Sequence, residues 1–426
     1  MLSTVIMMAS SPAVPPHVAK CTSEMDCSLL GSCVDGHCVC QPGWTGASCS
    51  VADLEPLDPS LGYQNMTTAS WGGRPAWHNG RWHLLVTEIQ AACPLILFQY
   101  NSRIVRAVSQ SDSVMGPYVH AETVLPPFHH NPHLVGPTPD GYYLLFFIGA
   151  TNASGVLDCT HGVPPSITNG SVPNNPKSPP IYSNTYISMA WTDDVTAPAE
   201  RWKQRVILRD NRPATDNLSS WHCEESNPAA AVLPNGTVVL AYRARACDIP
   251  KVSGEWIGFA IASHWSGDFV HDPTWAIAPE DSNGANNEDP FLWRVPAAAD
   301  GGPSAAESWH MITHQQSAYG PYGPYGNLCG DRAAGASCGA HWFAPSPHGP
   351  WRMSPEPAYS ARVVLSNGTV AAYQTRQRPQ LIFAADGVTP QYLFNGASFD
   401  GDNPVLGILT HTFVQKFRSA PAPEYA

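Results

Sequence analysis

The sequence predicts an all-β fold, a five-bladed β-propeller preceded by a small disulfide-rich module, on three observations. Turn formers abound, with 42 Pro and 34 Gly among 426 residues, which favours many turns over long helices. From about residue 70 a hairpin unit recurs five times. Six of the 12 Cys fall within the first 49 residues, in a stretch too short to hold itself together by apolar burial alone.

Each repeating unit places a polar residue and Pro before an apolar strand, then a Gly-containing turn, then a more apolar strand. The units are Arg74 to Val86 through Asn79-Gly80, Asn131 to Phe147 through Asp140-Gly141, Asn227 to Tyr242 through Asn235-Gly236, Asp289 to Thr313, and Ala361 to Tyr373 through Asn367-Gly368. Asn-Gly and Asp-Gly between apolar runs are strong hairpin signals. A third strand follows in most units, as in Arg103–Ser109, Tyr186–Ala190 and Ile257–Ala262. A β-sandwich explains hairpins but not the recurring residue plus Pro. A propeller explains both, because the first strand of every blade lines one central channel. The expected division is a leader at 1–20, the module at 21–49, a linker at 50–69, the propeller at 70–417 and a tail at 418–426. A late strand in Leu406–Phe417 is expected to close the ring.

Composition excludes other classes. Apolar residues make up 43%, enough for a core and against a disordered chain. The net charge is −12, and no basic stripe offers itself to nucleic acid. The longest apolar run, Tyr142–Ile148, is strand-length, so no membrane span is expected. Paired cysteines together with Asn-x-Ser/Thr triplets at Asn65, Asn152, Asn169, Asn217, Asn235 and Asn367 predict a secreted or extracellular glycoprotein, although Met1–Ala9 is a weak signal peptide.

The run from Cys38 to Cys49, with Gly43, Trp44 and Gly46 between, resembles the second half of an EGF-like module. The resemblance implies the pairs Cys21–Cys33, Cys27–Cys38 and Cys40–Cys49, which spacing alone does not select from fifteen possibilities. It also implies a spacer or a contact for a protein partner. No acidic residue precedes Cys21 closely, so calcium is not expected there. Beyond the module, Cys329 with Cys338 and Cys223 with Cys247 are the expected disulfides, leaving Cys93 and Cys159.

Over residues 60–415, Trp71-Gly72-Gly73, Trp82-His83, His130-Asn131-Pro132, Glu288-Asp289-Pro290, Trp309-His310-Met311 and Arg378-Pro379, in that order, resemble propellers similar to glycoside hydrolase family 43. That resemblance implies an Asp base in the first blade, an Asp tuning its pKa in the second and a Glu acid in the third. Acetal cleavage needs a proton for the leaving oxygen and a second carboxylate to activate water or attack the sugar. Here the first blade offers Gly73-Arg74-Pro75 and the second Asn131, so both of the family's Asp residues are missing.

The remaining carboxylates define the candidate catalytic set: Glu225 as acid, Asp289 as base or nucleophile, and Glu288 beside it. Trp71, Asn131, Asn227, His341 and Arg378 are the expected substrate contacts, and Glu88 is expected near Arg378. Three functions follow: a secreted glycosidase with a relocated carboxylate pair, a catalytically silent glycan-binding propeller, or an extracellular adhesion protein. Carbohydrate is the expected partner in the first two. The histidines His129, His130, His133, His310 and His314 are read as chance clustering, so neither metal nor cofactor is expected. No nucleophile elbow, phosphate loop or dinucleotide fingerprint occurs.

Overall fold

The computed structural model describes residues 20–65, 67–149, 156–162, 186–208, 224–245, 255–278, 286–297, 306–316, 329, 338–398 and 410–418. The N-terminal module consists of the hairpin β1 (Gly31–Val34) and β2 (His37–Cys40) and the short pair β3 (Trp44–Thr45) and β4 (Val51–Ala52). Its disulfides are Cys21–Cys33, Cys27–Cys38 and Cys40–Cys49, with Cα separations of 5.7, 5.5 and 5.1 Å.

Five antiparallel sheets follow. Blade one is β5 (Ala69–His78), β6 (Arg81–Ile89), β7 (Ser102–Ser109) and β8 (Tyr118–Leu125). Blade two is β9 (His130–Val135), β10 (Tyr143–Ile148), β11 (Ile187–Thr192) and β12 (Lys203–Leu208). Blade three is β13 (Glu224–Val232), β14 (Val238–Arg245), β15 (Glu255–Ala262) and β16 (Val270–Ile277). Blade four is β17 (Asn286–Val295), β18 (Ser308–Gln316), β19 (Cys338–Ala344) and β20 (Arg352–Ser360). Blade five is β23 (Thr375–Phe383), β24 (Pro390–Ser398) and β25 (His411–Lys416). The innermost strands β5, β9, β13, β17 and β23 pack side by side, and β23 returns to β5.

One expected unit is reassigned. Residues 361–373 form a separate hairpin, β21 (Arg362–Val364) and β22 (Val370–Ala372), and the fifth blade begins after it. The hairpin buries only one face, with Val363 and Tyr373 against Leu57, Ala397 and Phe413. The blade's own turn lies at Asp386-Gly387, where Asp386 accepts from the backbone N–H groups of Val388 and Thr389.

Apolar layers fill each junction between blades, as alternating strand residues require. Leu144, Phe146, Leu240 and Tyr242 join blades two and three. Val239, Phe259, Trp309 and Trp342 join blades three and four. The fifth blade's outer strand is covered by the segment that precedes blade one: Leu54 bridges Phe417 and Tyr63 bridges Thr412. Residues expected as a linker thus complete the last sheet and remove its open edge.

Glu88 belongs to this seam. It accepts from Tyr63 and from Arg103 at 2.7 Å, with His120 at 3.1 Å. Burial pushes its pKa up, but the bonds from Tyr63 and Arg103 outweigh that and hold the carboxyl below its ordinary value. Its partners come from blade one and the covering segment, not from the channel residues.

The module is docked on the propeller. Trp44 stacks on Trp293 at 6.0 Å and on His341 at 5.5 Å, and meets Phe417 edge-on. Leu30, Cys49 and Ala52 share its cluster with Leu381 and Leu393 of blade five. Ser48 donates through N and Oγ to Glu356 at 2.9 and 2.8 Å. A buried Trp removes on the order of 150–250 Å² from water, so Trp44 is a wedge where blades four and five meet. Trp44→Ala is expected to cost about 3–5 kcal/mol and to lower the midpoint of the whole propeller in urea unfolding. An unchanged propeller midpoint would mean that the module is only a spacer.

Candidate functional site

The site is generated by one repeated defect. In every blade the innermost strand carries one extra residue against the second strand, at Trp71 to Arg74, His130 to His133, Ser226 to Ala229, Glu288 to Phe291 and Gln377 to Gln380. These are β-bulges, and the extra residue is turned out of the ladder. Gly72, Asn131, Asn227, Asp289 and Arg378 hold equivalent places, with φ of 65°, 57°, 51°, 54° and 54°. In four blades Pro follows, where its missing N–H costs the ladder nothing. In blade one Gly73 stands in that place, so the first-blade position is Gly72 rather than the residue before Pro75. Asn and Asp tolerate the left-handed region, whereas Arg378 sits there at a cost that its contacts must offset.

The five positions converge, and four are hydrogen-bonded into a closed ring. Asn131 Nδ2 donates to Asn227 Oδ1 at 2.9 Å, and Asn227 Nδ2 donates to Asp289 Oδ1 at 2.7 Å. Arg378 donates from Nη1 to Asp289 Oδ1 at 2.9 Å and from its backbone N to Oδ2 at 3.2 Å. Arg378 Nη2 closes the circuit on the Asn131 carbonyl at 3.0 Å. Gly72 supplies space: a Cβ there would lie 3.2 Å from Arg378 Cβ. Asp289 and Arg378 are 2% and 1% exposed, so Asp289 is an internal counter-ion and not an open carboxylate.

Below the ring the axis is filled. His133 pairs through Nδ1 with Gln380 Oε1 at 2.9 Å and through Nε2 with the Ala230 carbonyl at 3.1 Å. Arg74 donates to the Leu134 carbonyl and lies over Phe291. Above the ring, at the end where the innermost strands begin, stand Glu225, Ser226 and Glu288. Glu225 Oε1 lies 3.1 Å from His271 Nε2. Glu288 lies 3.2 Å from Arg243 Nε, and Arg243 also bonds Ser226 and Glu255. Glu288 is 14% exposed, against 2% for Glu225. The second strands end on this same side, as the pairs Ile89–Ala69, Arg245–Glu224 and Ser398–Thr375 show. The Cys93–Cys159 disulfide, between the two cysteines left over in sequence, ties together the segments after β6 and β10 here. Cys329–Cys338 pairs as expected, whereas Cys223 and Cys247 lie outside the described residues.

Several polar groups around the axis lack an intramolecular hydrogen bond among the described residues: Asn131 Oδ1, Arg378 Nε, His130 Nδ1 and both His314 nitrogens. His314 Nδ1 lies 3.6 Å from Glu288 Oε2. Ligand atoms of Glu288, Asp289 and His314 lie within 4.8 Å of one another. Arg243 and Arg378, already beside the two carboxylates, supply the positive charge that a cation would bring.

Two expected contacts lie elsewhere. Trp71 packs against blade five at Gly396 and is buried. His341 is fully buried, in the chain Ser308–His310–His341–Ser354–Ser28 under the module. Its third-strand position in blade four faces Trp44 and Trp293, not the channel. His129 bonds Gln204 and the Pro126 carbonyl. The sequence reading lacked His271 and Arg243, the partners of Glu225 and Glu288. Arg243 stands opposite Ser226 in the ladder, whereas His271 lies on the outer strand opposite Ala260, so neither partnership is readable without the fold.

Residues 24–52 match the model of the Teneurin-like EGF domain. A search of the curated proteins returns no match. Among solved structures, one described as a glycoside hydrolase superposes with a TM-score of 0.54 at 12% identity, covering 88% of this chain and 94% of its own. A GH62 hydrolase in complex with xylotriose gives 0.51 at 8% identity, covering 86% and 98%. A thermostable family-43 glycoside hydrolase gives 0.45 at 13% identity, covering 83% and 92%. The chain therefore joins an EGF-like segment to a five-bladed propeller with the fold of glycoside hydrolases.

Two outcomes follow from this geometry. Arg378→Met should destabilise by about 3–5 kcal/mol, because it strands the buried Asp289 charge. Asp289→Asn combined with Arg378→Met should cost clearly less than the sum of the single changes in a denaturant double-mutant cycle, and additivity would refute the pairing. Burial lowers the pKa of His133 and of His341 to about 3 each, and drives that of His310 down as well. The unfolded chain takes up protons on these groups below about pH 6.5 while the folded chain does not. Stability should therefore fall as pH drops from 6.5 towards 3, by about 1.4 kcal/mol per pH unit for each such histidine. Melting temperatures at constant ionic strength across that range would test it, and a flat profile would contradict it.

Proposed function

We propose that this protein is an extracellular glycan-binding propeller whose funnel holds carbohydrate without hydrolysing it. The observation that carries this reading is the ring: Gly72, Asn131 and Asn227 cannot ionise, and Asp289 is neutralised by Arg378. Hydrolysis needs one carboxylic acid and one carboxylate within reach of the acetal, and the ring offers no acid, while its one carboxylate is buried and held by Arg378. Towards the end where the innermost strands begin, Glu225 and Glu288 are each held beside a basic group, His271 and Arg243. A sugar hydroxyl both donates and accepts, and so complements such fixed polar groups. The fold shared with glycoside hydrolases, including one described in complex with xylotriose, supports carbohydrate as the ligand class. The disulfides support an oxidising compartment.

A second reading, hydrolysis with Glu225 as acid, is favoured by one feature: Glu225 and Glu288 stand near the starts of the innermost strands of adjacent blades. A panel of plant and algal oligosaccharides, assayed for both binding and turnover, separates the two. Saturable binding without product, unchanged in Glu225→Gln, is the expected result. Turnover that falls about 10²–10⁴-fold in Glu225→Gln would instead establish the hydrolase, and neither binding nor turnover across the panel would refute both.

A further inference from the structure

The turn sequence Leu-x-Asn-Gly-Thr occurs twice, at Leu233–Thr237 and Leu365–Thr369, and folds the same way each time. The Leu N–H bonds the Thr carbonyl at 2.8 Å in both, and the Gly N–H returns to the Leu carbonyl at 2.9 and 2.8 Å. Both Gly residues are left-handed, with φ of 87° and 83°. In the second copy, Asn367 Oδ1 accepts from Thr369 N at 3.0 Å and from Thr369 Oγ1 at 2.7 Å. That arrangement occupies the amide oxygen and directs Nδ2 away from the turn. Ser366, Asn367, Gly368 and Thr369 are all exposed.

The outer face of the hairpin bearing Asn367 carries an apolar pair beside the exposed Arg362. Val364 and Val370 are a directly opposed cross-strand pair and are 49% and 53% exposed. An exposed apolar pair on a two-stranded ribbon invites association with other chains. Asn65 accepts the same two bonds, from Thr67 N at 3.0 Å and Thr67 Oγ1 at 2.8 Å, but it is half-buried and its side chain faces the Tyr63 hydroxyl.

We propose that Asn367 is an N-glycosylation site and that its glycan shields the Val364–Val370 pair, with the exposed Asn235 as a second acceptor. The inference rests on the extracellular placement proposed above. In the transfer, Asn367 Nδ2 bonds to the anomeric carbon of an oligosaccharide carried on a polyprenyl diphosphate. The bond from that carbon to the diphosphate oxygen breaks, the lipid diphosphate leaves, and Nδ2 gives up one proton. No oxidation or reduction is involved.

The test is secretion of the full chain from a eukaryotic host, with peptide mapping before and after amidase removal of N-glycans. Asn367 and Asn235 should be recovered as Asp only after the enzyme, and Asn65 as unmodified Asn. Asn367→Gln and Thr369→Ala should each remove the mass of one glycan. Each should also raise self-association in light scattering, and Val364→Thr combined with Val370→Thr should restore the monomer in the Asn367→Gln background. A secreted, disulfide-bonded chain with bare Asn367 overturns this inference and leaves the funnel reading intact. Retention in the cytosol with reduced cysteines overturns both. Full Asn367 occupancy with no change in association on its loss overturns the shielding role.

Discussion

The ion pair between Asp289 and Arg378 is the constraint around which the propeller is arranged. A carboxylate and a guanidinium taken fully out of water cost several kcal/mol each, and their attraction offsets this only with good geometry and further hydrogen bonds. Here Asp289 accepts from Asn227 as well as from two groups of Arg378, and Arg378 reaches on to the Asn131 carbonyl. Blades two, three, four and five are thereby linked through polar groups that have few other partners. Blade one contributes by yielding space, since Gly72 is what lets the Arg378 side chain lie across the axis. The same constraint limits chemistry: Asp289 is used for closure, leaving Glu225 and Glu288, each beside a basic partner, as the remaining carboxylates near the strand starts among the described residues.

The second organising contact is the module wedge. A propeller closed only by its last sheet depends on a single seam. This one has the covering segment paired to β25 and, beside it, Trp44 inserted between blades four and five. The module's disulfides hold its short strands rigid, so the wedge is presented pre-formed. A domain too small for a core of its own thus borrows the propeller's, with Trp44, Trp293 and Phe417 in one cluster.

Much of the fold was legible in the sequence because the signals were local. Asn235-Gly236 and Asp140-Gly141 mark turns, Tyr142–Ile148 is a strand-length apolar run, and a residue plus Pro marks the bulge of four of the five innermost strands. Where the local signal was ambiguous, the reading slipped: Asn367-Gly368 makes as good a hairpin as any, but too few flanking residues are apolar on both faces for a blade. The site was half legible. Asn131, Asn227 and Asp289 were placed at the channel because a residue plus Pro repeats there, and Arg378 through the family resemblance, while Gly72 escaped because Gly-Gly reaches the same bulge without Pro. Trp71 and His341 were misplaced because an aromatic or imidazole side chain looks the same in sequence whether its strand position faces the channel or the neighbouring blade.

That distinction bears on how the funnel relates to the fold it shares with hydrolases. A bulge residue in the left-handed region points its side chain to the axis whatever its chemistry, so the backbone delivers five side chains to one place in any such propeller. The backbone asks only for a residue that tolerates positive φ, a demand met by Gly, Asn and Asp alike. Replacing a carboxylate by an amide at this position therefore costs the fold little, and an amide pair hydrogen-bonds where two carboxylates would repel. Arg378 meets the demand least easily, and Asp289 and Gly72 are what make it tolerable. The ring is a self-consistent set, in which Asp289 requires the cation, the cation requires the space at Gly72, and the amides of Asn131 and Asn227 complete the circuit.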